Sequence, residues 1–189
     1  MSEDIRRMLQ EAVQVQEALF DHVDLIQQIA ATITAALRSG HKILLCGNGG
    51  SAADAQHVAA ELLGRFARER ASWPALALTT NSSVMTAVAN DYDFDRIFAR
   101  QVEGLAVAGD IVVGISTSGT SPNIIRALET ARAKGCITIG FTGETGGRLK
   151  DISDLCFRAP STQTPHTQEA HIVVWHVICE LVERDLAAA

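Results

Sequence analysis

The chain has 189 residues, of which 47% are hydrophobic, and a formal net charge of −6 at pH 7. This length and apolar content suit a single hydrophobic core, and we predict one domain over residues 1–189. The negative charge argues against a broad nucleic-acid-binding surface, although a local site can still hold a small anion.

Two amphipathic helices are predicted within residues 1–40. Apolar residues recur there at helical spacing. They are Ile5, Met8, Leu9, Ala12 and Val13 in the first helix, and Leu25, Ile26, Ile29, Ile33, Ala36 and Leu37 in the second. The pair Ser39-Gly40 is placed to end the second helix.

Five short apolar runs follow, separated mostly by helical segments, and each predicts a strand. They cover residues 42–46, 75–78, 111–116, 136–141 and 154–159. Alternating strands and helices are typical of a parallel sheet with crossover helices. We therefore predict an α/β fold, with the sheet and its helices in residues 41–189 and the helical pair before them.

The helices between the strands have recognisable ends. Ser51 and Asp54 have the spacing of a capping box, and Ser121 precedes Pro122 as an N-cap. Gly135 is placed to end the helix that starts at Pro122. The final helix is predicted from about residue 167 to residue 186.

Two loops rich in glycine and hydroxyl groups follow predicted strands. Residues 47–51 read Gly-Asn-Gly-Gly-Ser, and residues 116–121 read Ser-Thr-Ser-Gly-Thr-Ser. Backbone N–H groups, hydroxyls and a helix N-terminus together suit an anion, and loops at strand carboxyl ends line the ligand crevice of such sheets. Neither loop contains lysine or arginine, which favours a monophosphate that enters and leaves often. Ordinary strand-to-helix turns remain the alternative.

A dinucleotide-binding motif is a second interpretation of the first loop. Gly47, Gly49 and Ala52 satisfy the G-x-G-x-x-G/A pattern, which is weak by itself. The acidic residue that binds the ribose is missing, because the second strand is followed by Thr79-Thr80-Asn81. No P-loop motif occurs, so a nucleoside triphosphatase is disfavoured.

A histidine and a glutamate follow the first glycine loop. His57 and Glu61 are four residues apart and share one face of the predicted helix, so both can reach one bound molecule or one metal ion. A solvated pair is the usual alternative, but Val58, Leu62 and Leu63 indicate a partly buried face.

The last helix carries four further candidates, Gln168, Glu169, His171 and His176. His176 lies in an apolar run, where a single histidine is more often a core residue than a ligand. Spacing alone therefore does not assign it a role.

Cysteine usage and the first residues bear on localisation. The four cysteines are far apart and form no Cys-x-x-Cys pair, which indicates reduced, mostly buried thiols. They are Cys46, Cys136, Cys156 and Cys179. The start of the chain is charged where a secretory signal is apolar, and no run reaches the ~18 apolar residues of a membrane span. We expect a cytoplasmic protein without nucleic-acid or membrane partners.

Four segments together resemble the sugar isomerase (SIS) family over nearly the whole chain. They are CGNGGSAADAQH with Glu61 after it, STSGTSP, AVANDYDF and TQEAHIVVWH. The resemblance implies a flavodoxin-like, five-stranded parallel sheet flanked by helices. It also implies a homotetramer that the N-terminal helical pair helps to assemble, with sites formed between subunits.

The resemblance also implies roles for individual residues. The phosphate would lie on Ser116, Thr117, Ser118 and Ser121. The other substrate contacts would be Asn48, Gly49, Gly50, Ser51, Glu61, Asn90, Asp91 and Gln168. Glu61 and His176 would be the catalytic pair, and one zinc ion per subunit would be held by His57, Glu61, Gln168 and His176. Gln168 and His176 are ~12 Å apart along an ideal helix, so both reach one ion only from an opened first turn or from different subunits.

The implied activity is conversion of sedoheptulose 7-phosphate to D-glycero-D-manno-heptose 7-phosphate through an enediol, for nucleotide-activated heptose in surface glycans. A carboxylate can move the carbon-bound proton while an imidazole exchanges protons at the oxygens. The main alternative is a non-catalytic SIS protein that binds the replication initiator, which needs no acid/base pair. A sugar-phosphate-sensing regulator is a third, but the DNA-binding domain it would need is missing.

Overall fold

The computed structural model describes residues 1–187, and these residues form one parallel sheet with helices on both faces. The helices are α1 (Ser2–Glu17), α2 (Val23–Arg38), α3 (Gly50–Leu63), α4 (Ser82–Asp91), α5 (Ala99–Leu105), α6 (Pro122–Ala133), α7 (Leu149–Ile152) and α8 (Thr164–Ala187). The strands are β1 (Ile43–Gly47), β2 (Ala75–Ala77), β3 (Ile111–Ile115), β4 (Ile137–Thr142) and β5 (Leu155–Arg158). Short 3-10 helices cover Ala18–His22 and Phe94–Arg96.

The strand order is β2-β1-β3-β4-β5, and every neighbouring pair is parallel. This is the flavodoxin-like order, in which the chain changes direction across the sheet between β1 and β3. Gly47 at the end of β1 pairs with Ile115 at the end of β3. The two loops rich in glycine and hydroxyls therefore leave the sheet side by side.

Alternate residues of each central strand enter two separate hydrophobic cores. Ile43 and Leu45 of β1 pack with α2, α3 and α8 on one face, while Leu44 and Cys46 pack with α5, α6 and α7 on the other. Both β1 and β3 are buried along their full length, as expected for strands covered on both faces. The predicted α/β class, parallel sheet and N-terminal helical pair are confirmed.

Some local predictions about helix ends were wrong. Gly49 is the N-cap of α3, with φ +56°, and no side chain caps this helix, so Ser51 and Asp54 form no capping box. Ser51 is instead buried in the first turn. By contrast, Ser121 is the N-cap of α6 and Pro122 lies in its first turn, as predicted, although the Ser121 hydroxyl makes no capping hydrogen bond.

The other predicted helix ends agree better with the structure. Gly135, with φ +76°, follows the C-cap of α6 as predicted, because glycine accepts the left-handed conformation there. The last helix begins at Thr164, three residues before the predicted start, and Pro165 fits its first turn.

Two surfaces of the single chain are apolar and uncovered. The predicted apolar positions of α1 form no core contact, and Leu9 is 62% exposed. Phe20, in the 3-10 helix after α1, is 79% exposed and lies on a groove of about 660 Å³ between α2 and α8. Across residues 1–187, no helix combines the length and hydropathy that crossing a bilayer demands.

The four cysteines are free thiols, and Cys46, Cys136 and Cys179 are buried. Burial raises the pKa of Cys46 and of Cys179 to about 12. Their thiols therefore stay protonated and unreactive at neutral pH.

His171 is the buried histidine of α8. Its Nε2–H donates to the carbonyl oxygen of Thr142 at 2.9 Å, and its ring meets Phe141 edge to face. Burial lowers the pKa of this imidazole from 6.5 to about 4, and the hydrogen bond to Thr142 opposes the shift. Between pH 4 and pH 6.5 the unfolded chain binds a proton at this histidine that the native state does not. The free energy of unfolding therefore falls as the pH is lowered from 6.5 toward 4.

We expect acidification from pH 7.5 to pH 5 to remove about 2 kcal/mol of stability through His171 alone. The variant His171→Gln can keep an N–H donor for Thr142 but has no proton to gain, so its stability should fall less over this range. Urea unfolding at both pH values measures the difference. A loss of stability in His171→Gln equal to that of the wild type would contradict the prediction.

Candidate functional site

The loop after β1 is shaped by two glycines. Gly49 has φ +56° and ψ −121°, a conformation that side-chain-bearing residues rarely adopt. A Cβ on Gly50 would lie 2.5 Å from Nε2 of Gln168, so the glutamine amide from α8 lies directly against the start of α3. The structure therefore brings Gln168 to the predicted loop of Asn48, Gly49, Gly50 and Ser51.

The loop after β3 gathers hydroxyl groups at the start of α6. The hydroxyl oxygens of Ser116 and Ser121 are 2.8 Å apart, and Thr120 Oγ1 donates to Ser118 Oγ at 2.9 Å. Ser116 is buried, whereas Ser118 is exposed and Thr117 half-buried. These rotatable donors at the positive end of a helix can together bind an anion.

A pair of amides joins the two loops. Asn48 Nδ2 donates to Asn123 Oδ1 and Asn123 Nδ2 donates to Asn48 Oδ1, both at 2.9 Å. Asn123 is buried in the first turn of α6 and also accepts the N–H of Ile124. Asn123 was not among the predicted site residues, because only the pairing of β1 with β3 puts it beside Asn48.

His57, Glu61 and His176 meet where α3 packs against α8. His57 Nε2 lies 3.0 Å from Glu61 Oε1 and 3.3 Å from His176 Nε2, and one potential ligand atom from each residue lies within 4.8 Å of the others. His57 is 44% exposed and Glu61 is 23% exposed. His176 is half-buried with its ring 5.7 Å from Phe66, so it lies at the edge of the core.

These three side chains fit a divalent metal ion. Two imidazole nitrogens and one carboxylate oxygen converge on a small, partly accessible volume, and these are ligands that zinc takes. Catalytic zinc sites use three protein ligands and keep a further position for water or substrate. The group is the only one of its kind among residues 1–187.

Gln168 lies apart from this group within one chain. Helix α8 is regular from Thr164 onward, so Gln168 is not in an opened first turn. Its distance from His176 is therefore ~12 Å along the helix axis. Within one chain Gln168 adjoins the glycine loop rather than the histidine pair.

Asn90 and Asp91 are at the end of α4, a helix with no buried residues. Asn90 Nδ2 donates to Asp91 Oδ1 at 2.9 Å, and both side chains are exposed. Within the described part of the chain, neither makes a side-chain hydrogen bond to the two loops. One chain therefore does not bring these two residues into the site.

Gln56 and Thr79 are further residues at this end of the sheet that the sequence analysis did not select. Gln56 Nε2 donates to Thr79 Oγ1 at 3.2 Å, which links α3 to the loop after β2. Gln56 precedes His57, but a glutamine on an exposed helix face gives no sequence signal by itself.

Comparisons with known proteins identify the family to which the chain belongs. Residues 5–143 match a family model described as the SIS domain. Phosphoheptose isomerase from Rhodospirillum rubrum is 52% identical over 188 residues, which cover 100% of both chains. Solved phosphoheptose isomerases from Neisseria gonorrhoeae and Francisella tularensis have TM-scores of 0.91 and 0.94 and are 40% and 36% identical. They cover 97% of this chain, and the matches span 98% and 99% of theirs.

The fold is that of the SIS-domain class. The similarity within that class extends over essentially the whole chain. The chain belongs to the phosphoheptose isomerase family of SIS-domain proteins. The resemblance found in the sequence is therefore confirmed.

Proposed function

We propose that this chain is an aldose–ketose isomerase that converts sedoheptulose 7-phosphate to D-glycero-D-manno-heptose 7-phosphate. The observation that carries the proposal is the meeting of His57, Glu61 and His176 in a chain whose neighbouring loops suit a phosphate. Relatives named phosphoheptose isomerase support the same reaction. They give no support to the alternative of a non-catalytic protein that binds the replication initiator.

In the proposed reaction, Glu61 and His176 divide the proton transfers. The Glu61 carboxylate removes a proton from C1 of the ketose, and His176 supplies a proton to the carbonyl oxygen on C2, which gives a neutral enediol. Glu61 then returns its proton to C2, while His176 accepts the proton of the C1 hydroxyl, which gives the aldose. Carboxylates and imidazoles suit these steps near neutral pH.

We assign the phosphate to Ser116, Thr117, Ser118 and Ser121. The hydroxyl of Ser116 lies within hydrogen-bond distance of those of Ser118 and Ser121 at the start of α6, which supports this assignment. The sugar would contact Asn48, Gly49, Gly50 and Ser51, with Gln168 beside Gly50. Asn90 and Asp91 would join from elsewhere in an assembly, since they are exposed at the end of α4.

One zinc ion per subunit would be held by His57, Glu61 and His176. When bound, zinc would polarise the sugar carbonyl. Gln168 would contribute as a ligand from a neighbouring subunit, since it lies by Gly50 in its own chain. The mixed nitrogen and oxygen donor set supports this proposal.

We further propose a homotetramer of single-domain subunits with sites at the subunit interfaces. The uncovered apolar face of α1 and the groove beside Phe20 support assembly, because such surfaces are costly to leave in water.

The domain spans residues 1–189, of which the last two lie outside the described residues. Free thiols support cytoplasmic residence, where this reaction would begin the supply of nucleotide-activated heptose for surface glycans.

Purified protein should convert the ketose phosphate to the aldose phosphate, and Glu61→Gln should lower kcat by about 10²- to 10⁴-fold because it loses the base. Glu69→Gln removes the same charge from a side chain that is 93% exposed and should keep wild-type kcat. Chromatographic detection of the aldose phosphate measures both. Full activity in Glu61→Gln would remove this residue as the base.

Replacing Ser118 by alanine should raise KM about 10-fold while kcat changes little. The reason is that a hydrogen bond to a charged phosphate contributes about 1.5–3 kcal/mol. Ser39→Ala, at an exposed serine before β1, is the control and should leave KM unchanged. An unchanged KM in Ser118→Ala would contradict the phosphate assignment.

The variant Leu9→Asp places a charge on the apolar face of α1 and should shift the protein from tetramer to smaller species. Leu9 makes no core contact in one chain, so the helical circular dichroism should persist. Sedimentation velocity measures the size. Ser39→Asp adds the same charge at an exposed position outside α1 and should remain tetrameric. A tetrameric Leu9→Asp would contradict the proposed role of α1.

A further inference from the structure

Arg70 binds the C-terminal end of α3, the helix that carries His57 and Glu61. Its Nη2 donates to the carbonyl oxygen of Glu61 at 2.8 Å, and its Nη1 donates to that of Leu62 at 2.9 Å. These are carbonyls that a helix end leaves without internal partners. The guanidinium lies over the ring of Trp73, 3.6 Å from the centroid, and is 5% exposed. Arg70 thus fixes the backbone of Glu61 itself.

Glu183 of α8 holds Arg70 and the segment after α3. Its side chain is 0% exposed, and Oε1 accepts from Arg70 Nε at 3.1 Å and from the N–H of Phe66 at 3.0 Å. Oε2 accepts the N–H groups of Ala67 and Arg68, both at 2.8 Å. Burial would raise the pKa of this carboxyl, but these backbone N–H groups and Arg70 lower it below its ordinary value. The carboxylate is therefore charged and fully bonded.

Glu183 and His176 face the same side of α8. They are seven residues apart, which is about two helical turns and returns the side chain to within ~20° of the same direction. Phe66, whose N–H binds Glu183, places its ring 5.7 Å from the ring of His176. One carboxylate on α8 thus connects the end of α3 to the surroundings of His176.

We propose that Glu183 and Arg70 are positioning residues that hold His57 and Glu61 of α3 at the correct distance from His176 of α8. The proposal rests on the proposed function, because the side chains that Glu183 and Arg70 would position are those of the proposed acid/base and metal-binding group. They act through the helices, and neither is one of the reacting side chains. Supporting residues of this kind typically change metal affinity or activity 10- to 100-fold when they are removed.

A second buried carboxylate provides a matched control for a purely structural role. Asp110 is 1% exposed, binds the Lys42 ammonium and accepts the N–H groups of Lys42 and Val107. It lies next to Ile111 at the amino end of β3, the opposite edge of the sheet from the loops. Asp110→Asn therefore disturbs a similar buried network without touching α3 or α8.

The experiment compares Glu183→Gln with Asp110→Asn in the full-length protein. Competition with a chromophoric chelator, without substrate, should show zinc affinity reduced about 10- to 100-fold in Glu183→Gln. Steady-state kinetics should show kcat reduced with KM unchanged, because the hydroxyl cluster is not altered. Asp110→Asn should match wild type in both. Equal behaviour of the two variants would overturn the proposal.

A second variant and an NMR measurement complete the experiment. Arg70→Lys retains the charge but loses the planar guanidinium that reaches the carbonyls, and it replaces Glu183→Gln if that variant does not fold. Imidazole NMR signals of His57 and His176 in metal-free protein should shift in the positioning variants and stay unchanged in Asp110→Asn. Unchanged signals would overturn the proposal. If wild type lacks isomerase activity while these signals shift, the proposed function fails and the positioning role stands.

Discussion

The pairing of β1 with β3 decides where the two loops rich in glycine and hydroxyl groups lie. Gly47 and Ile115 are partners in this ladder, so the chain leaves both strands at the same edge of the sheet. The reciprocal amides of Asn48 and Asn123 then lock the two loops together. Because buried amides are costly to leave unpaired, this contact also fixes the start of α3 relative to the start of α6. The hydroxyl cluster and the glycine loop are thereby parts of one rigid edge.

The cluster of His57, Glu61 and His176 depends on a different contact, the packing of α3 against α8. Apolar side chains such as Val58, Leu62 and Val174 bring these helices together, but such contacts alone allow sliding. The buried pair of Arg70 and Glu183 adds directional bonds at the end of α3. Polar networks of this kind contribute more to geometry than to net stability, since desolvation offsets much of their attraction. Apolar packing thus holds α3 and α8 together, and the directional bonds of Arg70 and Glu183 fix their relative position.

The single chain does not bring all the proposed site residues together. Gln168 adjoins the glycine loop, the histidines lie further along α3 and α8, and Asn90 and Asp91 are exposed on α4. The face of α1 and the groove beside Phe20 are apolar surfaces that the single chain leaves uncovered. In the proposed tetramer, one set of contacts would both bury these apolar surfaces and complete the site.

The sequence by itself determined the class of fold, the two loops and the nearness of His57 to Glu61, because strand and helix periods and four-residue spacing are local properties. Helix ends were predicted less accurately: the predicted capping box at Ser51 does not form, because Gly49 is the N-cap of α3. The spacing of residues could not assign a role to His176, because it lies in an apolar run. Nor could the sequence reveal Asn123, Arg70 or Glu183. Each of these depends on contacts between residues 75 or more positions apart or on a side chain bent back across a loop. Only tertiary packing decides which distant groups meet, since it alone sets the relative positions of strands and helices.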